Sequence, residues 1–284
     1  MRHFVLTRSA YGPAWDPASN ARRLALTRGV MVRTLAAQTN RDWNLVVLLD
    51  DDDPLRAERL AAFRGCGRPV IVIKWKSPVG GGVPVFTGTL DDGQGKRLLR
   101  AKFKSLDDRQ APHLLRRGIV EPPAARGAFT VRAAVAYRAY KVDWAGAIDA
   151  SRGGVLMTRL DDDDGLAPTT LARVRAAAES LPGDARAVLM HPLGFRVWRG
   201  RYDRVRAPAN AMHTLYTPDG DRLSVYDYGH TKVRSTKLRI INVDEETAWL
   251  WVRHMDTISG NRKGSRPLSR ELKRIFPVDW SLLA

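Results

Sequence analysis

Two apolar runs that end in aspartates constrain this chain more than any other feature. Leu45-Val46-Val47-Leu48-Leu49 leads into Asp50-Asp51-Asp52-Asp53. Gly154-Val155-Leu156-Met157 leads through Thr158-Arg159-Leu160 into Asp161-Asp162-Asp163-Asp164. A short apolar run reads as a buried strand, and the acids mark where it surfaces. In an α/β sheet both acidic runs would lie at the carboxyl ends of strands, the edge at which such sheets bind ligands. A single acidic run is ordinarily a solvated loop or a helix start, and Pro168-Thr169-Thr170-Leu171 does read as a helix start with acid ahead of it. The repetition points to a site instead. Carboxylates at alternate positions suit a hard divalent cation, Mn²⁺ or Mg²⁺, whose remaining positions take phosphate oxygens. A nucleotide-diphosphate substrate is the natural expectation.

The segments around these runs alternate. Phe4 to Thr7 reads as a strand. Pro17 to Gln38 reads as a helix with Leu24, Met31 and Leu35 near one face. Leu45 to Leu49 is a strand, Pro54 to Phe63 a helix and Pro69 to Ile73 a strand. Strands alternating with helices over short connections predict a parallel sheet with a nucleotide-binding half. The pattern breaks at Ser77-Pro78-Val79-Gly80-Gly81-Gly82. From Lys76 to Lys141 thirteen Lys or Arg face five Asp or Glu, so this stretch is a basic insertion, either a loop that closes over a ligand or an irregular surface segment. Phe129 to Ala150 reads as a helix, and Pro168 to Leu181 as another. Short strand-like segments follow at Ala187–Met190, Phe195–Trp198, Leu223–Tyr226, Leu238–Ile241 and Ala248–Val252.

Charge bounds the partners. With 47 Lys and Arg against 30 Asp and Glu, the chain carries +17, and its acids are concentrated in the two runs. The remaining surface is therefore basic and attracts polyanions. Hydrophobic residues, at 44% and spread throughout, exclude wholesale disorder. Cys66 is the sole cysteine, which excludes an intrachain disulfide and a cysteine-rich zinc site. Between Arg64-Gly65 and Gly67-Arg68 it reads as part of a surface turn without a role. No stretch approaches the apolar length of a membrane span, and the N-terminus turns polar too soon for a signal peptide, so a cytoplasmic location is expected.

Leu6-Thr7-Arg8 at a strand end, Gln38-Thr39 before the second strand, and Arg159-Leu160-Asp161-Asp162-Asp163-Asp164 after a later one now fall in order. Together they resemble glycosyltransferases of the A-type (GT-A) fold, more closely the group named putative rhamnosyltransferases. The resemblance covers most of the chain but is patchy between Ser77 and Phe129. It implies an α/β fold with a Rossmann-like nucleotide-binding half on a mixed sheet and a β-rich C-terminal acceptor half. The expected division is 1–165, carrying a basic loop-rich insertion at about 76–128, and 166–284 for acceptor binding and catalysis. Thr7, Arg8, Arg159 and Asp50 or Asp51 would line the donor pocket. Asp161 would approach ribose or metal, and Asp163 would bind the metal in a DXD motif. Asp162 holds the variable position, and four consecutive aspartates leave the choice between Asp163 and Asp164 open. His254, two residues past a strand-like run, fits the late metal-binding His of such enzymes. Arg262 and Lys263 would clamp the diphosphate.

The implied reaction is metal-dependent transfer of a sugar from a nucleotide-diphosphate sugar to a hydroxyl. Direct displacement needs a general base, for which Asp227, His230 and His191 are candidates. The basic surface favours a polyanionic acceptor such as DNA bearing a hydroxymethylated base. A surface glycan or protein is the alternative that family analogy favours. A metal-dependent nucleic-acid phosphodiesterase is the rival from another class, although it lacks a second matched set of acids. No helix-turn-helix, zinc-finger or RNA-binding signature supports a pure binding module.

Overall fold

The computed structural model describes residues 1–9, 17–51, 53–75, 154–208, 210, 212–218, 224–226, 233, 236–254 and 265–283, and the backbone of 84–89, 120–121 and 128–132. Fifteen strands are described. In chain order they are β1 (Arg2–Ser9), β2 (Asn44–Asp50), β3 (Val70–Trp75), β4 (Pro84–Thr89), β5 (Val120–Glu121), β6 (Ala128–Arg132), β7 (Val155–Arg159), β8 (Gly165–Leu166), β9 (Ala187–Met190), β10 (Leu193–Trp198), β11 (Arg201–Arg206), β12 (His213–Thr217), β13 (Arg239–Asn242), β14 (Thr247–Val252) and β15 (Arg266–Pro267). The helices are α1 (Pro17–Leu26), which runs through a π-helical turn Thr27–Val32 into α2 (Arg33–Ala36), then α3 (Arg56–Arg64), α4 (Thr170–Glu179) and α5 (Arg270–Ile275).

Seven strands form the main sheet in the order β13-β9-β12-β7-β1-β2-β3. β1, β2, β3 and β7 are parallel, with Ser9 opposite Leu49 and Leu6 opposite Arg159. β12 runs antiparallel to β7 and β9, so β9 points the same way as β1. The carboxyl ends of β1, β2, β7 and β9 therefore share one edge. Strands from both sides of residue 165 join this sheet. A second, five-stranded sheet has the order β15-β11-β10-β14-β8, and a three-stranded sheet the order β4-β6-β5. The architecture is the expected α/β class, with a Rossmann-like parallel half, a mixed sheet and a β-rich C-terminal half.

Both faces of the main sheet are buried, which is why its strands read as continuous apolar runs. Val5, Leu45, Val47 and Leu49 pack on one face against Met31, Leu35 and Phe63. Phe4, Leu6, Val46 and Leu48 pack on the other with Val188, Val225 and Val233. Each such side chain, taken from water, contributes about 1.5–3 kcal/mol. The second sheet closes a separate core, in which Phe195, Val197 and Leu250 meet Leu272 and Phe276 around α5. Its β10–β11 hairpin turns on Arg199 (φ 45°) and Gly200 (φ 69°), the two left-handed positions of a tight primed turn.

Several expectations need correction. Residues 128–132, expected to begin a helix, form β6, paired with β4 and β5. Phe129-Thr130-Val131 is aromatic and β-branched, a composition that suits a pleated strand. The remainder of that expected helix, and most of the basic insertion, lies outside the described residues. Ser224 to Tyr226 is not a strand, since Val225 and Tyr226 form a turn whose Tyr226 amide donates to Ser224 Oγ at 3.2 Å. β11 and β12 were not anticipated. Cys66 is not at the surface. It is fully buried against the first core, and burial pushes its thiol pKa up.

Candidate active site

The carboxyl edge of the main sheet gathers the acids of the second run. β7 ends at Arg159, and the Leu160 amide donates to the Leu6 carbonyl at 3.1 Å, which holds the run against β1. Side chains alternate along β1, so Thr7 and Ser9 face the α1 side while Arg8 faces the opposite side. Ser9 Oγ donates to Asp162 Oδ2 at 3.0 Å. Thr7 is fully buried, and its Oγ1 has no hydrogen-bond partner among the described residues. Arg8 lies over the Tyr226 ring, 4.5 Å from its centroid, and Arg159 lies 5.1 Å from the same centroid. The Tyr226 hydroxyl donates to the Leu6 carbonyl at 3.1 Å. Two guanidinium groups are thus held on one aromatic ring at the end of β1.

The four aspartates take different roles. Asp161 remains one-third exposed and accepts from Arg159 at 3.3 Å. Its partial burial would raise the carboxyl pKa, but the charges of Arg159, Arg8 and Arg23 outweigh that and hold it down. Asp163 accepts from Arg23 Nη1, and its Oδ2 lies 2.8 Å from His254 Nε2. Burial opposes ionisation there too, yet Arg23 and His254 keep Asp163 well below the usual carboxylate range. Asp164 instead accepts the Val252 amide at 2.8 Å and anchors the end of β14. Burial, with Asp163 and Asp161 beside it, pushes its pKa well up. The anchor explains the register: with Asp164 on Val252, His254 two residues later comes opposite Asp163.

Arg23, which the sequence reading did not single out, sits between these groups. Its Nη1 also lies 2.9 Å from His254 Nε2, and its Nη2 lies 3.6 Å from Asp162 Oδ1. It reaches the acids from α1, 140 residues away in sequence, so no local motif could have flagged it. Ser9 and Tyr226 were missed as contacts for the same reason. Gln38 and Thr39, part of the resemblance, work as a brace. Gln38 Nε2 donates to the Ala167 carbonyl at 2.9 Å, Gln38 Oε1 accepts the Leu171 amide at 3.2 Å, and the Thr39 amide donates to the Pro168 carbonyl at 2.8 Å. They tie α2 to the chain that follows the acidic run.

The first acidic run splits. Asp50 is fully buried at the end of β2, and Asp51 is exposed with Arg56 at 3.3 Å. Asp53 is part of a buried network in which Arg59 Nε donates to Asp53 Oδ2 at 2.6 Å and Asn20 Nδ2 to Asp53 Oδ1 at 3.2 Å. That network joins α3 to α1. His191 follows β9 at the same sheet edge but is buried, with Nδ1 at 3.4 Å from Asp244 Oδ1. Burial, with Arg173 nearby, lowers its pKa to about 4, which keeps the imidazole neutral at pH 7. Asp227, His230, Arg262 and Lys263 lie outside the described residues.

Asp163 and His254 offer the carboxylate and imidazole chemistry of a divalent-cation site. As they stand, they do not fit one. Among the described residues no three His, Cys, Asp or Glu side chains converge as a metal would require. Arg23 already engages the oxygen and nitrogen that would be ligands.

Comparison with known proteins gives a match to one family over part of the chain. Residues 126–266, just under half of the chain, match the model of the family described as "Putative rhamnosyl transferase". No curated protein matches the chain. Solved structures that resemble it include S. aureus TarS, at 10% identity over 89% of this chain and 37% of that one, with a TM-score of 0.38. TarS 1–349 in complex with UDP matches at 12% identity over 89% and 61%, with a TM-score of 0.42. The apo form of mouse xyloside xylosyltransferase 1 matches at 12% identity over 78% and 68%, with a TM-score of 0.35. The chain spans less than two thirds of either TarS chain, and at these TM-scores its fold rests on its own sheet order. Over residues 126–266 the chain thus matches the family described as putative rhamnosyl transferase.

Proposed function

We propose that the chain transfers a sugar from a nucleotide-diphosphate sugar to a hydroxyl group on a polyanionic acceptor, for which hydroxymethylated DNA is the test case. The observation that carries this reading is the convergence of Arg8, Arg159 and Tyr226 with Asp161 to Asp163 at the carboxyl edge of the parallel strands. Guanidinium groups there suit the diphosphate, with Thr7 and Asp50 or Asp51 toward the nucleoside and Arg262 and Lys263 as further clamps. In a direct displacement the acceptor oxygen bonds to the anomeric carbon, its proton passes to a base, and the departing bond pair goes to the diphosphate. Asp227, His230 and the neutral His191 are the bases to test. The Mn²⁺ or Mg²⁺ expected from the acidic run enters only as a rival occupant of the position Arg23 holds.

The acceptor class is supported by charge on the C-terminal half. Arg199, Arg201 and Arg204 on the β10–β11 hairpin and Arg270, Lys273 and Arg274 on α5 are exposed. No helix among the described residues is long and apolar enough to cross a membrane. The test is incubation of the enzyme with a panel of nucleotide sugars and either hydroxymethylpyrimidine DNA or a neutral glycan, followed by mass spectrometry. A hexosylated or deoxyhexosylated nucleoside is expected, with product falling steeply as salt rises because neutralised phosphates release counterions. Asp161→Asn and Asp163→Asn should each lose at least tenfold in transfer while remaining folded. Transfer to the glycan alone overturns the polyanion reading. Full activity in both variants removes the acidic run from the site.

A further inference from the structure

We propose that Arg23 supplies, from within the chain, the positive charge that meets the donor diphosphate in the position a divalent cation would otherwise take. This rests on the nucleotide-sugar reading and adds to it the group that compensates the leaving diphosphate. Arg23 Nη1 contacts Asp163 Oδ2 and lies 2.9 Å from His254 Nε2. His254 Nε2 and Asp163 Oδ2 lie 2.8 Å apart, so carboxylate, imidazole and guanidinium close on one another. The Arg23 guanidinium is the fixed cation in this group, paired with Asp163 and 3.6 Å from Asp162 Oδ1.

The neighbouring carboxylates are also answered from inside the chain. Asp161 pairs with Arg159 at 3.3 Å, Asp162 accepts from Ser9 at 3.0 Å, and Asp164 holds the Val252 amide. A divalent ion would have to displace Arg23 and would find the adjacent acids committed. Arg23 itself is positioned to serve a phosphate. Its side chain keeps 15% of its surface exposed at the rim of the edge where Arg8 and Arg159 stand. A planar guanidinium with several donors matches phosphate oxygens bidentately and cannot lose its proton. As the bond from the anomeric carbon to the diphosphate breaks, its electron pair stays on the diphosphate oxygen, and the Arg23 charge stabilises it without a proton changing hands.

The test measures nucleotide binding rather than turnover. UDP, GDP and dTDP are titrated calorimetrically into the full chain, once in excess EDTA and once with Mn²⁺. At least one is expected to bind in EDTA, with a Kd changed less than about twofold by Mn²⁺. Arg23→Gln should weaken that binding in EDTA by about tenfold or more, the scale of one charge-assisted contact. Added Mn²⁺ should restore it, because the substitution opens Asp163 and His254 to the metal. Arg23→Lys, which keeps the charge but loses the fork, should fall between the two. Binding by the native chain that needs Mn²⁺ and vanishes in EDTA overturns the inference and leaves the nucleotide-sugar reading intact. Failure of every nucleotide under both conditions overturns that reading, and this inference with it. The native-chain comparison requires no variant, so a poorly folded Arg23→Gln does not remove the test.

Discussion

Gly194 and Trp249 face each other across the parallel β10–β14 pair, and a Cβ at position 194 would lie 2.1 Å from Trp249 Cδ2. The indole is fully buried and donates its Nε1 hydrogen to the His191 carbonyl at 2.9 Å, so it cannot swing away without losing that bond. Gly194→Ala is therefore expected to destabilise by about 1–3 kcal/mol through overpacking, read as a lower urea midpoint with an unchanged slope. A neutral result would mean that β10 shifts freely. At this scale the sequence was legible where a role follows from neighbours in the chain. That four aspartates terminate a strand, and that a late His lies two residues past another strand, could be read directly. The division of labour could not. Asp163 differs from Asp164 only because the Val252 amide, 88 residues away, claims Asp164. Arg23 reads locally as one more exposed helical arginine.

The connection between α1 and α3 shows how an element can be misjudged by its composition. The run Asp50 to Asp53 looks like a second ligand set, yet Asp53 fixes the start of α3. Its Oδ1 accepts the Leu55 amide at 2.9 Å, and its Oδ2 accepts from the fully buried Arg59. Removing one partner of a buried pair strands the other charge. Arg59→Met should cost about 3–5 kcal/mol in chemical denaturation, and adding Asp53→Asn to it should recover much of the loss. Equal stability of the single and double variants would show that Asp53 finds another partner. Long apolar strands and the main helices were recoverable from periodicity because the sheet is buried on both faces. β11, with the sequence Arg-Tyr-Asp-Arg-Val-Arg, was not, because it lies near the edge of the second sheet with alternate residues exposed. β12 was missed for another reason. His213-Thr214-Leu215-Tyr216-Thr217 is buried throughout although three of its five side chains are His or Thr; Thr214 Oγ1 lies 2.6 Å from Thr158 Oγ1, and no hydropathy pattern reveals that.

Across the whole molecule, two buried imidazoles set a dependence of stability on pH. His3, 2.7 Å from Thr158 Oγ1, has its pKa lowered from 6.5 to about 3, and His191 from 6.5 to about 4, burial being the main cause in both. Folding keeps both neutral, whereas the unfolded chain takes up their protons near 6.5. The unfolded state therefore binds more protons below that pH. Stability from these groups is complete above about pH 6.5 and is lost as pH falls, down to about 4 for His191 and about 3 for His3. Each contributes a slope approaching about 1.4 kcal/mol per pH unit. Denaturation between pH 7 and 4.5 should show the decline, and His191→Gln should remove about half of it. An unchanged slope would place the titration elsewhere. The pairing of β1 with β7 bears on something different, the order of assembly. Residues 2–9 are made well before one of their two neighbours in the sheet, residues 155–159. Until residues 155–159 have been made, β1 keeps an open edge of unpaired backbone groups, and Asp161 to Asp164 have no strand to stand on. Such long-range closure is slow, and an exposed apolar strand edge invites pairing with other chains. The edge that carries the acidic run thus cannot form before β7 is made, and nascent chains that stop short of residue 155 should depend on chaperones to stay apart.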